Sequence, residues 1–126
     1  MKRDYFNLDY DVPFRRWKSY YPIQRIVQDA EKIGLKSLYI RRSANGHIHL
    51  KVFLMKPLNF YKLLELRAIY NDDAYRIRAD LRRLHYKSLI VRFDILWDIK
   101  SGGKTKGIKR AGKWKKIILY SSSFLK

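Results

Sequence analysis

The chain has 126 residues, enough for one domain with a hydrophobic core, and its 47% hydrophobic content argues against intrinsic disorder. It carries 29 Lys and Arg against 11 Asp and Glu, a formal net charge of +18, and such an excess is typical of proteins whose partner is a polyanion. Nucleic acid is the first candidate partner and an anionic membrane surface the second, whereas the absence of cysteine excludes disulfides, thiolate catalysis and Cys-based zinc sites.

The first predicted elements are a strand and a helix. Residues 6–12 alternate apolar and polar side chains, which is typical of a strand with one buried face. Residues 22–33 place apolar side chains at helical spacing after Pro22, a residue that suits the first turn of a helix. Gly34 follows directly and favours the end of that helix.

A β-hairpin is predicted next in the chain. Residues 37–42 and 47–55 both alternate apolar and polar side chains, as strands two and three of a sheet would. They are separated by Asn45-Gly46, a dipeptide typical of the tight type I′ turn, in which both central residues need a positive φ.

The second half predicts helix, strand, and a basic tail. Asn59 is a candidate N-cap for a helix that extends to Ala68. Residues 71–73 interrupt this helix or cap a second helical segment, residues 74–85. Residues 88–100 show the longest alternation in the chain and predict strand four, followed by a loop rich in Gly and Lys over residues 101–116. Residues 117–120 favour an extra strand that forms a hairpin with strand four.

This order of elements predicts an α+β protein of ferredoxin-like, RRM-type βαββαβ topology. We expect a four-stranded antiparallel sheet in the order 4-1-3-2, with two helices on one face and the other face open. Residues 1–100 would form this domain, and residues 101–126 would add a basic loop and a C-terminal strand packed on the same domain.

The alternation places five candidate metal ligands on the open face: Asp9, Asp11, His47, His49 and Asp94. Carboxylate and imidazole donors suit Mg²⁺, Mn²⁺ or Zn²⁺, and a divalent ion there would support phosphoryl chemistry. The alternative is a solvated sheet face on which the acids and histidines form ordinary hydrogen-bonded pairs.

Aromatic and basic side chains on the same surfaces predict contacts with nucleic acid, because RRM-type sheets bind single strands by stacking bases on exposed rings. The predicted nucleic-acid contacts are Arg15, Arg16, Tyr39, Arg41, His49, Lys51, Phe53, Arg92, Lys104, Lys106, Lys109, Arg110, Lys113 and Lys115. The alternative is a cationic shell without a specific ligand.

Three resemblances bear on function. His47-Ile48-His49 resembles the His-hydrophobic-His motif of rolling-circle replication initiators and relaxases, and Tyr70-Asn71-Asp72-Asp73 resembles the spacing around their nucleophilic tyrosine. That resemblance implies a divalent ion on the histidines and Tyr70 as the candidate nucleophile. Asp9-Tyr10-Asp11, Ser43…His47 and Phe93-Asp94 resemble motifs of archaeo-eukaryotic primases, which implies a two-metal site that includes Asp9, Asp11, His47 and Asp94.

The third resemblance covers the whole chain. The pattern Arg67…Asp72-Asp73…Arg76…Asp80 resembles a family of small proteins of archaea and archaeal viruses, and the whole chain is similar to the viral proteins of this kind. This resemblance implies a viral protein that is made in the host cytoplasm. It leaves open whether the protein is part of the virion, and it implies no activity. The scarcity of Gln and the abundance of Lys and Arg favour a thermophilic source, whereas the scarcity of Glu does not.

We therefore interpret the chain as a nucleic-acid-binding protein, with DNA favoured and self-association left open. A metal-dependent nucleic-acid enzyme, either nicking or primase-like, is the first alternative, and a genome-packaging or virion structural protein is the second. No apolar run approaches the ~20 residues of a membrane span, and no signal-peptide core is evident, so we expect a soluble intracellular protein.

Overall fold

The computed structural model describes residues 1–86, 92–101 and 108–118. The strands are β1 (Lys2–Pro13), β2 (Leu35–Arg42), β3 (His47–Asn59), β4 (Ile99–Ser101), β5 (Ile108–Arg110) and β6 (Lys115–Ile117). The helices are α1 (Tyr21–Gln28), α2 (Ala30–Ile33), α3 (Phe60–Ile69) and α4 (Ala74–His85), and a 3₁₀ helix covers Phe14–Ser19. The chain is thus a mixed α+β protein, as predicted.

The main sheet has four antiparallel strands in the order β1-β3-β2-β6. Phe6 pairs with Val52 and Leu8 with Leu50, which confirms the prediction that strands one and three are adjacent in the sheet. Because opposite residues in antiparallel strands point to the same face, these pairs form one apolar layer. The expected alternation of buried and polar faces is therefore present in the three long strands.

The hairpin between β2 and β3 lies where it was predicted, but its turn is of another type. The backbone N–H of Ser43 donates to the carbonyl of His47, and the N–H of Gly46 donates to the carbonyl of Ser43. Gly46 has a φ of 82°, whereas Asn45 has none of the positive φ that a type I′ turn requires. A three-residue loop of this kind combines a type I turn with a glycine in the left-handed region.

The helices follow the predicted signals with one interruption. α1 ends before Asp29, and the short α2 then ends at Gly34, whose φ of 69° is the left-handed conformation that glycine favours. The side chain of Asn59 accepts a hydrogen bond from the backbone N–H of Lys62, so the predicted N-cap of α3 is confirmed. Asp73 caps α4 by accepting from two backbone N–H groups, which makes residues 71–73 a break between two helices.

The helices pack on the apolar face of the sheet. The buried cluster combines residues of all three long strands with Ile23 of α1, Leu63 of α3 and Leu84 of α4. Of the helices in the described part of the chain, none is long and apolar enough to cross a membrane.

The prediction of strand four is wrong over residues 92–98, which form a 3₁₀ residue, turns and irregular backbone beside β1. Residues 88–91 lie outside the described ranges, and only Ile99–Ser101 is a strand, paired with β5 in a separate two-stranded sheet. The fourth strand of the main sheet is instead β6, on the opposite edge beside β2. The predicted C-terminal strand, residues 117–120, shares only Ile117 with β6, and β6 pairs with β2 instead of forming the predicted hairpin with strand four. Residues 119–120 lie outside the described chain. The sheet order is thus β1-β3-β2-β6 and not 4-1-3-2.

Candidate nucleic-acid interface

The edge of β1 is covered by carboxylate side chains where a neighbouring strand was expected. The backbone N–H of Asn7 donates to Asp94 Oδ2 at 2.7 Å, and that of Asp9 donates to Asp72 Oδ1 at 2.8 Å. Arg76 Nη1 donates to the carbonyl of Asn7 at 3.4 Å. These bonds occupy backbone groups that a fourth strand would have used, because a sheet edge must satisfy its outward N–H and C=O groups.

The carboxylates of this edge belong to a buried cluster of three arginines and three aspartates, Arg67, Arg76, Arg83, Asp72, Asp80 and Asp94, which we call the charge cluster. Arg67 is fully buried and donates to Asp72 at 2.8 Å and to Asp80 at 2.7 Å. Arg76 Nη2 donates to Asp94 at 2.6 Å. Because the cluster contains equal numbers of each charge, the whole excess of 18 positive charges lies on the rest of the chain.

The predicted metal ligands do not come together. His47 Nδ1 lies 2.9 Å from Asp11 Oδ1 in an exposed pair, and His49 Nε2 lies 3.5 Å from Asp9 Oδ1 in a more buried pair. Asp94 is held within the charge cluster by Arg76 and Asn7 and is not part of either pair. In residues 1–86, 92–101 and 108–118, no group of three or more His, Asp or Glu side chains is arranged to hold a metal ion.

His49 is buried with both ring nitrogens occupied. Arg41 Nε donates to His49 Nδ1 at 3.0 Å, which leaves the ring proton on Nε2, facing Asp9. Burial, together with the guanidinium groups of Arg41 and Arg76, lowers the pKa of His49 from its ordinary 6.5 to about 3. Burial raises the pKa of Asp9 in turn. A neutral imidazole with a proton on Nε2 and an accepted bond on Nδ1 has no lone pair for a metal.

Arg41 and His49 are also unsuited to the predicted contact with nucleic acid. Each is only 5% exposed. The Arg41 guanidinium forms an ion pair with Asp98 and lies 4.5 Å from the ring centre of Trp114. The sheet face that the sequence predicts to be open is therefore covered at this point by residues from the C-terminal third of the chain.

Tyr70 is unsuited to the predicted role of nucleophile. The residue is 2% exposed, and its hydroxyl donates to Asp29 Oδ2 at 2.8 Å. Burial and the hydrogen bond to Asp29 raise the pKa of Tyr70 to about 12, which disfavours the phenolate that would attack a phosphate. Its backbone carbonyl accepts from the hydroxyl of Tyr10, so the residue anchors the end of α3 to β1.

Aromatic side chains cross the uncovered part of the sheet face in a continuous row. The ring centre of Phe53 on β3 lies 5.7 Å from that of Tyr5 on β1 and 5.6 Å from that of Tyr39 on β2. All three side chains are half-buried, so each ring packs on its neighbour and keeps a solvent-facing part. We call these three residues the aromatic row.

Cationic side chains lie against this row. Lys51 Nζ is 5.4 Å from the ring centre of Tyr5 and 4.9 Å from that of Trp114, and Arg3 lies 5.0 Å from Tyr5. Burial, with help from Arg41, lowers the pKa of Lys51. Lys116 on β6 pairs with Tyr39 and therefore points to the same side of the sheet.

The other predicted contacts lie on the surface around the sheet. Those exposed to solvent are Arg15 and Arg16 on the 3₁₀ helix, Arg92 beside α4, Lys109 and Arg110 on β5, and Lys113 and Lys115 near β6. Lys104 and Lys106 lie outside the described residues.

Sequence reasoning missed several members of this surface. Tyr5 directly precedes the predicted strand, residues 6–12, and a strand prediction longer by one residue would have included it. Lys116 was missed in favour of Lys115, because only the register of β6 on β2 decides which lysine shares a face with Tyr39. No sequence pattern around Trp114 predicts that it lies beside the sheet face, since its position depends on the path of the chain after β5.

No protein-family model, no curated protein and no solved structure significantly matches this chain. Function must therefore be inferred from the side chains themselves.

Proposed function

We propose that the protein binds nucleic acid, DNA foremost, through the aromatic row and the basic residues around it. The observation that carries this proposal is a row of three partly exposed rings with Lys51 and Arg3 beside it, in a chain of net charge +18. Solvated rings offer stacking surfaces to bases, and the adjacent cations lie where a phosphate backbone would pass.

The placement of three of the eleven acids supports the same proposal. Asp72, Asp80 and Asp94 are buried in the charge cluster, where arginines neutralise them. Acids on the surface would repel phosphates, whereas these exert little field outside the protein because each has an arginine partner within 2.6 Å.

We further propose that β1, α1, β2, β3 and α3 represent the first part of an RRM-type domain. They have its strand neighbourhood, β1 beside β3 and β3 beside β2, with the helices on the opposite face to the aromatic row. In this interpretation the charge cluster takes the place of the fourth strand, and base stacking on the central strands is the binding mode that such sheets use.

The metal-dependent alternative receives less support from the described residues. It requires Asp9, Asp11, His47 and Asp94 to share one ion, but they are divided between two pairs and the charge cluster. We therefore propose binding without a metal-dependent step.

The proposal is tested with Phe53→Leu, which removes the central ring of the row and keeps an apolar side chain. Loss of one stacked base is worth ~1–3 kcal/mol, so affinity for a short single-stranded DNA should fall about 5- to 150-fold. Tyr61→Leu is the matched control, because Tyr61 is an exposed ring on α3 and not on the sheet. Fluorescence anisotropy with labelled single- and double-stranded DNA and RNA, over a salt series, measures both variants.

The salt series also locates the phosphate contacts. Binding through phosphates gives a log–log slope of about −0.7 per contact on single strands and about −0.9 on duplexes. Replacing Lys109, Arg110, Lys113 and Lys115 with glutamine should flatten this slope by several units if those side chains are the contacts. Absence of binding at low salt would overturn the proposal, and equal affinity for all duplexes with no effect of Phe53→Leu would favour genome packaging.

A further inference from the structure

A cavity of about 250 Å³ lies between α4 and the segment that replaces strand four. Its lining includes Tyr75 and Arg83 from α4, Arg92 and Trp97 from the segment, and Asp9 from β1. The aromatic row does not contribute to it. Cavities for drug-sized ligands are about 300–1,000 Å³, so this one suits a smaller group such as a single base.

We propose that this cavity binds one unstacked nucleotide, with its phosphate at Arg83 and Arg92 and its base against Trp97. The inference rests on the proposed function and deepens it, because it assigns to the protein a second, nucleotide-sized site beside the sheet face. Guanidinium groups match the geometry of phosphate oxygens, and bases stack on indole rings.

The arginines of the cavity differ in their freedom to bind an anion. Arg76 donates to Asp72 and Asp94 and is committed to the charge cluster. Arg83 uses only Nη1 within the described residues, in a bond of 2.6 Å to Asp80, and its side chain is 28% exposed. Its remaining N–H groups are therefore available for a phosphate.

Arg92 is exposed and forms no hydrogen bond or ion pair with any residue of the described ranges. Asp80, which lines the cavity and pairs with Arg83, does not oppose a phosphate strongly. Its Oδ1 accepts from Arg83, and its Oδ2 accepts from Arg67 and from the backbone N–H of Asp94.

The aromatic residues of the cavity are exposed to an unusual degree for their size. Trp97 is 70% exposed and Tyr75 is 79% exposed, and both lie at the wall of a cavity that also contains arginines. Large exposed rings beside guanidinium groups are typical of binding surfaces, because a ligand that covers an indole ring removes a large apolar area from water.

Asp9 gives the cavity a preference among bases. Its carboxylate is partly exposed and lines the cavity, and it faces His49 Nε2 only at 3.5 Å. A carboxylate accepts a hydrogen bond from the exocyclic amino group of cytosine, whereas uracil presents an acceptor at the same position. We therefore expect cytidine 5′-monophosphate to bind more tightly than uridine 5′-monophosphate.

The test titrates the full chain with these two nucleotides at millimolar concentrations by isothermal calorimetry and by quenching of tryptophan fluorescence. Arg92→Gln and Trp97→Ala should each weaken binding of cytidine 5′-monophosphate about tenfold or more. Arg82→Gln is the matched control, since Arg82 is exposed on α4 but does not line this cavity. Asp9→Asn should reduce the preference for cytidine over uridine, expected to be about fivefold or more, while retaining binding.

The inference is overturned if the protein binds neither nucleotide. It is also overturned if Arg92→Gln weakens nucleotide binding no more than Arg82→Gln does. The proposed function would survive that result if Phe53→Leu still weakened binding of single-stranded DNA. Conversely, nucleotide binding that depends on Arg92 and Trp97 without any binding of longer nucleic acid would retain the cavity site and reject the proposed function.

Discussion

Replacing Arg67 with methionine measures how much the charge cluster contributes to the free energy of unfolding. The guanidinium is fully buried and makes hydrogen bonds of 2.8 Å to Asp72 and 2.7 Å to Asp80. A hydrogen bond to a charged group is worth ~1.5–3 kcal/mol, and removing one partner of a buried ion pair costs ~3–5 kcal/mol. Because Asp72 keeps Arg76 and Asp80 keeps Arg83, we expect the lower part of this range, about 3 kcal/mol.

Urea denaturation at pH 7, followed by tryptophan fluorescence and circular dichroism, measures this loss. Lys62→Met on the same helix is the matched control, because Lys62 forms an exposed pair with Glu65 at 3.6 Å. Exposed pairs contribute ~0–1 kcal/mol and weaken in salt, whereas a buried cluster is screened little. The effect of Arg67→Met should therefore persist at high salt, and that of Lys62→Met should be small at any salt.

A loss for Arg67→Met no larger than that for Lys62→Met would refute this reasoning. The total stability of a domain is ~5–15 kcal/mol, so Arg67→Met has the potential to prevent folding. Arg67→Lys then provides the measurement, since it keeps the positive charge but cannot donate to Asp72 and Asp80 with the same planar fork. Its loss should lie between those of the wild type and the methionine variant.

Two further predictions concern pH and the proposed role of Tyr70. Unfolded His49 takes up a proton as the pH falls through 6.5, whereas folded His49 does so only near 3, so stability is lost as the pH falls between these values. In this window the free energy of unfolding of the wild type should fall by up to ~1.4 kcal/mol per pH unit more than that of His49→Gln. If urea denaturation shows the same acid sensitivity for both proteins, His49 is not a buried neutral imidazole. Tyr70→Phe removes the bond to Asp29 and should lower stability by ~1.5–3 kcal/mol without changing nucleic-acid affinity. Loss of a DNA-cleaving activity in Tyr70→Phe, at unchanged stability, would instead support Tyr70 as a nucleophile.

The elements that the sequence predicts well are those whose signals are local. Alternation in β1, β2 and β3 follows from a sheet with one buried face, and Phe6 and Leu50 lie where period-two spacing puts them. Asn59 and Gly34 act at the ends of helices through bonds within a few residues of themselves. Such features need no knowledge of the rest of the chain.

Strand four was wrongly predicted because a distant set of side chains satisfies the edge of β1. Phe93, Ile95 and Trp97 alternate as a strand would, but only Phe93 is buried, with its ring centre 4.5 Å from that of Phe60. Asp94 has a φ of 57°, which ends any extended run at that point. Its carboxylate binds the N–H of Asn7, and no local pattern reports a contact across 87 residues.

The candidate site shows the same division between local and distant information. Alternation correctly assigned Tyr39, Lys51 and Phe53 to one face of the sheet. It could not report that Trp114 and Asp98 cover Arg41 on that face, because this covering depends on how the chain returns from β5. Asp94 lies apart from the other four predicted metal ligands for a related reason, because the segment that carries it is not a strand of the sheet.

The charge cluster connects the stability of this fold with the surface that we propose to bind nucleic acid. The 29 basic residues of the chain repel one another, which destabilises the fold. An acid that is buried can hold basic side chains together, whereas an acid on the surface lowers the positive charge there. Asp80 and Asp94 are buried acids that hold arginines together. They tie α4 to the segment that carries Arg92 and Trp97. Asp94 also accepts from the backbone N–H of Asn7, so it helps both to cover the edge of β1 and to hold the wall of the cavity in place. A variant that loosens the cluster, such as Arg67→Lys, should therefore weaken nucleotide binding at the cavity even while the protein remains folded and its aromatic row still binds DNA.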